Sequence, residues 1–131
     1  MKRMAFCLVV FLLTGYWFAL VPGYPATAPY YEGKTIEIMG ESRVGGGTDT
    51  VARIIATFLP QYIPGKPSIV IRTMPGAAGA IANNVFYAQG KPDGLHLMMN
   101  SGSPIALQMR SRDIVKYDLT KYGHIGNINR G

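Results

Sequence analysis

Cysteine is nearly absent from this sequence of 131 residues, in which Cys7 is the single example. It lies in an apolar amino-terminal run that we expect to be removed. The mature chain is therefore predicted to have neither a disulfide nor a thiol nucleophile. A protein of this kind depends on its hydrophobic core for stability, which suits the periplasm.

Clusters of basic residues are also absent. The 13 Lys and Arg residues outnumber the 7 Asp and Glu residues and give a net charge of +6, but they are scattered along the chain. Nucleic-acid-binding proteins concentrate such residues on one face or place aromatic residues between them. The composition therefore argues against a nucleic-acid partner and favours a small anionic molecule.

Catalytic and metal-binding motifs are missing as well. His96 and His124 are far apart, and neither has a carboxylate or cysteine at the spacing of metal ligands. The sequence shows no serine elbow, no paired carboxylates and no Ser/His/Asp series that its turns would bring together. We therefore predict that the protein is not an enzyme and holds no metal and no cofactor.

The amino terminus has the pattern of a secretory signal peptide. Residues 2–3 are basic and residues 5–21 are almost entirely apolar, which is the order expected for export to the periplasm. We predict a signal peptide over residues 1–23 and a polar lead-in over residues 24–33. The apolar run is at the short end of what spans a bilayer, so a retained membrane anchor is the alternative.

The rest of the sequence repeats one pattern three times, in which a short apolar strand is followed by a turn of small residues and the start of a helix. The first, second and third turns are residues 44–49, 74–80 and 100–104. The predicted strands are residues 36–39, 69–71 and 96–99, and the helices begin near residues 51, 81 and 105. Such units in series predict an α/β fold with a parallel sheet, whose turns gather along one edge where ligands usually bind.

The first predicted helix carries a regular apolar stripe. The stripe consists of Val51, Ile54, Ile55, Phe58 and Leu59, at the spacing of one helical face. We interpret these residues as part of the core.

The first turn is typical of an anion site. Gly45, Gly46 and Gly47 allow a close approach of the backbone, and the unpaired N–H groups of the helix start favour a carboxylate, phosphate or sulfate. Thr48 and Asp49 are residue types that cap helices. A turn that is rich in glycine for packing alone is one alternative. Nucleotide binding is another, although Gly46 stands where a phosphate loop has its lysine.

Individual side chains near the first turn have predicted roles. Asp49 is expected to cap the helix or brace the turn through backbone N–H groups rather than contact the ligand. The Thr48 hydroxyl can donate to a carboxylate, and Ser101 and Ser103 offer the same chemistry in the third turn. Arg43 could pair with a ligand carboxylate, but we favour its neutralising Glu41 at the surface.

Taken together, the motifs after residue 30 resemble the solute-binding proteins of tripartite tricarboxylate transporters, called the Bug family. The residues that carry the resemblance are Tyr31-Glu32-Gly33-Lys34-Thr35-Ile36, Gly45-Gly46-Gly47-Thr48-Asp49 with Ala52-Arg53, Met74-Pro75-Gly76-Ala77 with Gly79, Pro92-Asp93-Gly94, and Tyr117-Asp118 before His124-Ile125-Gly126. The segment Glu41-Ser42-Arg43 is the clearest departure from the pattern, and the family usually has small residues where Arg43 stands.

The resemblance implies the two-lobed clamshell fold of a type II periplasmic binding protein, about twice this length. Residues 34–116 would form part of the first lobe, with parallel βαβαβ units, and residues 117–131 would begin the crossover to a second lobe. The chain would then be an amino-terminal fragment.

The resemblance also implies a monomer that captures a small carboxylate and delivers it to a membrane permease with a large and a small subunit. The ligand-binding residues that it implies are Gly45, Gly46, Gly47, Thr48 and Asp49 in the first turn, Pro75, Gly76, Ala77 and Gly79 in the second, and Ser101 and Ser103 in the third. A small Rossmann-like enzyme acting on a nucleotide or acyl substrate and a membrane-anchored interaction domain remain as alternatives.

Overall fold

The protein is described by a computed structural model that covers residues 28–111 and 113–128. The predicted signal peptide, residues 1–23, lies outside the described residues. Among those described, no helix is both long enough and apolar enough to cross a membrane.

Strands and helices alternate along the described chain, and all three predicted strand-turn-helix units are present. In chain order, the elements are β1 (Thr35–Gly40), α1 (Gly47–Phe58), β2 (Ser68–Thr73), α2 (Ala80–Gln89), β3 (His96–Met99) and α3 (Ser103–Arg110). Short 3-10 helices follow α1, precede α2 and lie beyond α3, at Leu59–Tyr62, Ala77–Gly79 and Leu119–Lys121.

The three strands form one parallel sheet in the order β2-β1-β3. Ile38 at the centre of β1 lies opposite Ile71 of β2 and Leu97 of β3. Because all three strands run in the same direction, the turns that follow them open at the same edge of the sheet. The predicted α/β fold with parallel βαβ units is therefore confirmed for these residues.

The hydrophobic core lies on both faces of β1. Ile36 and Ile38 are buried against Ala52 of α1, whose small side chain lets this helix approach the sheet closely. On the opposite face, Met39 lines a cavity of about 100 Å³ with Val85 and Phe86 of α2. Partly buried residues complete the first face, namely Tyr31, Ile63, Ile69, Ile71, Leu95, Leu97 and Met99.

Strand β2 is less buried than its apolar sequence suggested. Its residues alternate between exposed and half-buried along the strand, and Val70 is 52% exposed. Ile69 and Ile71 face the core cluster with Ala52 of α1, whereas Ser68, Val70 and Arg72 point to the other face of the sheet and are exposed.

The predicted core stripe of α1 is wrong in part. Ile54 and Phe58 are more than half exposed, and the buried residues of the helix are Asp49 and Ala52. The helix turns Ala52, rather than the centre of the apolar stripe, toward β1. The Asp49 carboxylate also points inward, where it holds the first turn.

The segment beyond α3 packs back onto the helices. Tyr117 is buried, and its hydroxyl donates to the Pro104 carbonyl oxygen at 2.8 Å. The ring of Tyr122 lies 5.4 Å from that of Phe86 and is stacked on Tyr87 at 6.2 Å. The crossover predicted for residues 117–131 stays a prediction.

Candidate functional site

The helix start at the first turn differs from its prediction. Helix α1 begins at Gly47 with Gly46 as its N-cap, which has no side chain to cap it; Ser42 Oγ accepts the N–H of Asp49 instead. Thr48 and Asp49 are thus the second and third residues of the helix, so the capping role expected of these two residues is wrong. Gly46 is in the extended conformation, and its carbonyl accepts from the N–H of Thr50 at 2.8 Å; the helix therefore starts earlier than the apolar pattern indicated.

The bracing role predicted for Asp49 is confirmed. Its Oδ2 accepts the Gly45 N–H at 2.8 Å, which holds Gly45 at a φ of +81° where glycine is favoured. Arg53 donates to both carboxylate oxygens, at 2.8 and 3.1 Å. Hydrogen bonds from Arg53 and from the Gly45 N–H hold the pKa of the Asp49 carboxyl below its usual value. Asp49 is therefore ionised, and Arg53 balances its charge.

Two backbone N–H groups of the first turn remain available. The N–H of Gly46 bonds to Arg43, and that of Asp49 bonds to Ser42 Oγ. Among the described residues, the N–H groups of Gly47 and Thr48 have no acceptor. A Cβ at Gly47 would have no atom within 4 Å. These two donors at the start of a 12-residue helix can bind an anion from open space.

The second turn is held in an unusual backbone conformation. Ala77 and Ala78 have φ values of +46° and +49°, and Gly76 and Gly79 have values of +138° and +90°. The N–H of Gly79 donates to the Gly76 carbonyl oxygen at 3.0 Å. Pro75, Gly76 and Ala77 are exposed, whereas Gly79 is buried. The exposed half of this turn is thus accessible, and its end is packed inside.

The third turn uses part of its hydrogen-bonding capacity internally. Ser101 Oγ accepts the N–H of Ser103 at 3.1 Å, and the N–H of Ser101 donates to Glu41 Oε1 at 2.7 Å. The side chain of Asn100 exchanges two hydrogen bonds with that of Asn83, which ties the turn to α2. The Ser101 N–H is therefore not available to a ligand, although its hydroxyl hydrogen is.

Glu41 lies where the second and third turns meet, at the end of the central strand. It is 8% exposed and bonds to Ser101 through Oε1. Its other oxygen, Oε2, is buried without a hydrogen-bond partner among residues 28–111 and 113–128. A Cβ at Gly79 would overlap Oε2, so the carboxylate rests against the bare Cα of this glycine.

The predicted pairing of Glu41 with Arg43 at the surface is wrong. Arg43 is exposed, and none of the ion pairs of the described residues contains Glu41. Instead, the Glu41 carboxylate is directed toward Gly79 and the Ser101 N–H. Its role was therefore missed by the sequence interpretation.

The site residues predicted from the sequence are only partly brought together. Glu41 joins Gly79 of the second turn to Ser101 of the third. Within the described part of the chain, no hydrogen bond links residues 45–49 directly to either of these turns. The first turn therefore stands beside the other two at the same edge, with its two unpaired N–H groups.

His96 lies away from this edge, at the start of β3. Contrary to expectation, it has a carboxylate neighbour, because its Nδ1 is 3.0 Å from Asp93 Oδ1. The described residues contain no group of three or more His, Cys, Asp or Glu residues that could hold a metal ion. This pair therefore plays no part in the candidate site.

Comparison with known proteins supports the resemblance that the motifs indicated. No family model matches the chain. The chain is 28% identical over 109 residues to Protein BugT of Bordetella pertussis (strain Tohama I). The match covers 79% of this chain and 32% of BugT, so the chain spans about a third of the length of this relative. The resemblance to the Bug family is thereby confirmed.

Proposed function

We propose that the chain forms a ligand-binding lobe of a periplasmic solute-binding protein, which captures a small carboxylate for the membrane permease of a tripartite tricarboxylate-type transporter. The similarity to BugT supports this role at the level of the family. In this proposal the protein binds and releases its solute unchanged.

The observation that carries the proposal is the pair of N–H groups at Gly47 and Thr48. Two neighbouring donors match the two oxygens of a carboxylate, and the positive end of the dipole of α1 adds to the attraction. The Thr48 hydroxyl can donate a third hydrogen bond. The turn lacks the lysine with which phosphate loops hold nucleotides, which favours a carboxylate over a nucleotide.

The described edge offers one wall of a binding site. Pro75, Gly76 and Ala77 of the second turn are exposed, and so are Ser101 and Ser103 of the third turn, which follows a strand of the same parallel sheet. A carboxylate bound there would remain in water on its outer side. We propose that a second lobe, reached from residues 117–131, closes over it and excludes water.

Gly47→Val tests the first turn directly. The variant adds a branched side chain at one of the two residues whose N–H groups are unpaired, and its Cβ has no atom within 4 Å. In the full-length protein as its gene encodes it, we expect calorimetry to show binding of a small carboxylate such as succinate or citrate. The variant should weaken this binding by about tenfold or more, with little change in the temperature of unfolding.

Gln61→Val is the control, because Gln61 is exposed and lies in the 3-10 helix after α1, outside the three turns and the predicted crossover. It should bind the carboxylate as tightly as the wild type does. Binding of nucleotides but of no carboxylate would refute the proposed function. Equal affinity of Gly47→Val and the wild type would show that the first turn is not the anion site.

A further inference from the structure

We propose that Glu41 makes the site selective for a carboxylate that also carries a hydrogen-bond donor, such as an amide or ammonium group, over dicarboxylates and tricarboxylates. This inference rests on the proposed function, because it concerns the solute that binds at the same turns.

The first step is that the charge of Glu41 is poorly balanced. The carboxylate is 8% exposed, and the described protein gives it one hydrogen bond, from the Ser101 N–H to Oε1 at 2.7 Å. Oε2 is buried without a partner in the same set of residues. A buried carboxylate normally needs a cation or several donors. A single neutral N–H stabilises the buried charge much less than a cation or several donors would.

The second step is that the neighbours of Glu41 do not supply the missing charge. The backbone of Gly79 lies against Glu41, and a Cβ at Gly79 would meet both the carboxylate and Pro104 Cγ. Burial and the negative charge of Glu41 raise the pKa of the Tyr117 phenol, and the hydroxyl hydrogen of Tyr117 is already donated to the Pro104 carbonyl oxygen. Tyr117 therefore stays neutral and does not pair with Glu41.

The two buried carboxylates of this edge differ in this respect. Asp49 receives both a guanidinium and a backbone N–H, so its charge is balanced inside the protein. The unbalanced negative charge at the edge belongs to Glu41. It lies beside the second turn, whereas the unpaired N–H groups of Gly47 and Thr48 lie in the first.

The third step is that this charge reaches the surface of the second turn. Gly79 has no side chain and is itself buried, whereas residues 75–78 of the same turn are exposed, so the charge of Glu41 acts through the protein rather than by contact; the Coulomb interaction between charges is stronger across protein than across water. Strands β1 and β2 are adjacent, so their turns lie about one strand spacing, roughly 5 Å, apart. The edge is thus positive at the first turn and negative at the second.

A solute with a carboxylate at one end and a donor at the other matches both turns. Its carboxylate would bind at Gly47 and Thr48, and its amide or ammonium group would face the second turn in front of Glu41. A dicarboxylate of the same length would place its second negative charge toward that of Glu41. Selectivity of this kind comes from repulsion of the wrong solute as well as attraction of the right one.

Succinate and its monoamide, succinamate, are suitable probes, because they have nearly the same shape and differ in one carboxylate. We expect the full-length wild-type protein to bind succinamate about tenfold more tightly than succinate in calorimetry. Glu41→Gln keeps an oxygen for the Ser101 N–H and removes the charge. It should bring the two affinities within about threefold of each other, mainly by tightening the binding of succinate.

Glu37→Gln is the matched control, because it removes one negative charge from the same strand, where Glu37 lies 3.8 Å from Arg72. It should leave the ratio of the two affinities unchanged. Tighter binding of succinate than of succinamate by the wild type would overturn the inference. This test needs no variant, so it can be made even if Glu41→Gln does not fold. An unchanged ratio in a folded Glu41→Gln variant would also overturn it.

These outcomes are distinct from failure of the proposed function. If succinate binds and Gly47→Val abolishes its binding, the carboxylate site stands even when the selectivity is absent. If the wild type binds neither probe nor any other carboxylate, the proposed function and the inference are both refuted.

Discussion

Gly79→Ala tests how tightly the second turn is packed against Glu41. Gly79 has a φ of +90°, and its new Cβ would overlap Glu41 Oε2 and lie 3.0 Å from Pro104 Cγ. Two separate penalties are expected, one from the backbone conformation and one from the displaced carboxylate.

The size of each penalty follows from the structure. A side chain in the left-handed region costs about 1–2 kcal/mol, part of which is offset because alanine restricts the unfolded chain more than glycine does. Moving Glu41 breaks the 2.7 Å hydrogen bond to the Ser101 N–H, and a hydrogen bond to a charged group contributes about 1.5–3 kcal/mol. We expect Gly79→Ala to lower the free energy of unfolding by about 3 kcal/mol in total.

Gly33→Ala separates the two penalties. Gly33 has a φ of +68° and no atom within 4 Å of a Cβ, so this variant should lose about 1 kcal/mol from the backbone alone. Combining Gly79→Ala with Glu41→Ala removes the overlap, and the additional loss caused by Gly79→Ala should then also fall to about 1 kcal/mol.

Urea unfolding measures these differences. A difference of 2 kcal/mol between the variants corresponds to a shift of about 1 M in the midpoint. The reasoning is refuted if Gly79→Ala is no more destabilising than Gly33→Ala. It is equally refuted if Gly79→Ala has the same effect with and without the Glu41 side chain.

The remaining predictions concern the first turn and the ionisation of two residues. Asp49→Asn keeps an oxygen for the Gly45 N–H, so it should lower the temperature of unfolding, followed by circular dichroism, less than Asp49→Ala does; equal decreases would contradict the bracing role. Because the pKa of Asp49 is lowered by Arg53 and the Gly45 N–H, its contribution to stability is present above the ordinary carboxyl value and is lost as the pH falls below about 4. Acid unfolding should therefore be less steep in Asp49→Asn than in the wild type, and identical pH profiles would refute this. Burial raises the pKa of the Tyr122 phenol, so its contribution is complete below about pH 10 and is lost at higher pH. Tyr122→Phe should weaken the alkaline loss of stability, and tyrosinate absorbance that rises before unfolding in proportion to all tyrosines would contradict the burial of this residue.

Local signals account for what the sequence predicted correctly. The turns contain Gly and Pro at positions that end one element and begin the next, so all three strand-turn-helix units were found. Asp49 and Arg53 could also have been paired in advance, because opposite charges four residues apart meet on a helix.

Other features depend on strand order, which local patterns do not contain. Residues 36–39 and 69–71 have similar apolar character, but the first strand is central and the second lies at the side of the sheet. The position of Glu41 follows from the same order, since its partner Ser101 is 60 residues away. A charged residue after an apolar strand gives no local sign of being covered by two later turns.

The order of the strands also has a kinetic consequence. The central strand is the first of the three in the chain, and its partners come later: Thr35 pairs with Ser68, 33 positions on, and Glu37 pairs with His96, 59 positions on. No hydrogen bond of the sheet can form until a chain segment of this length has closed, and its closure entropy precedes the gain from pairing. Proteins dominated by such distant contacts fold more slowly than helical bundles. The nascent chain can form α1 early, but its sheet must wait for β2 and is completed only when β3 has been synthesised.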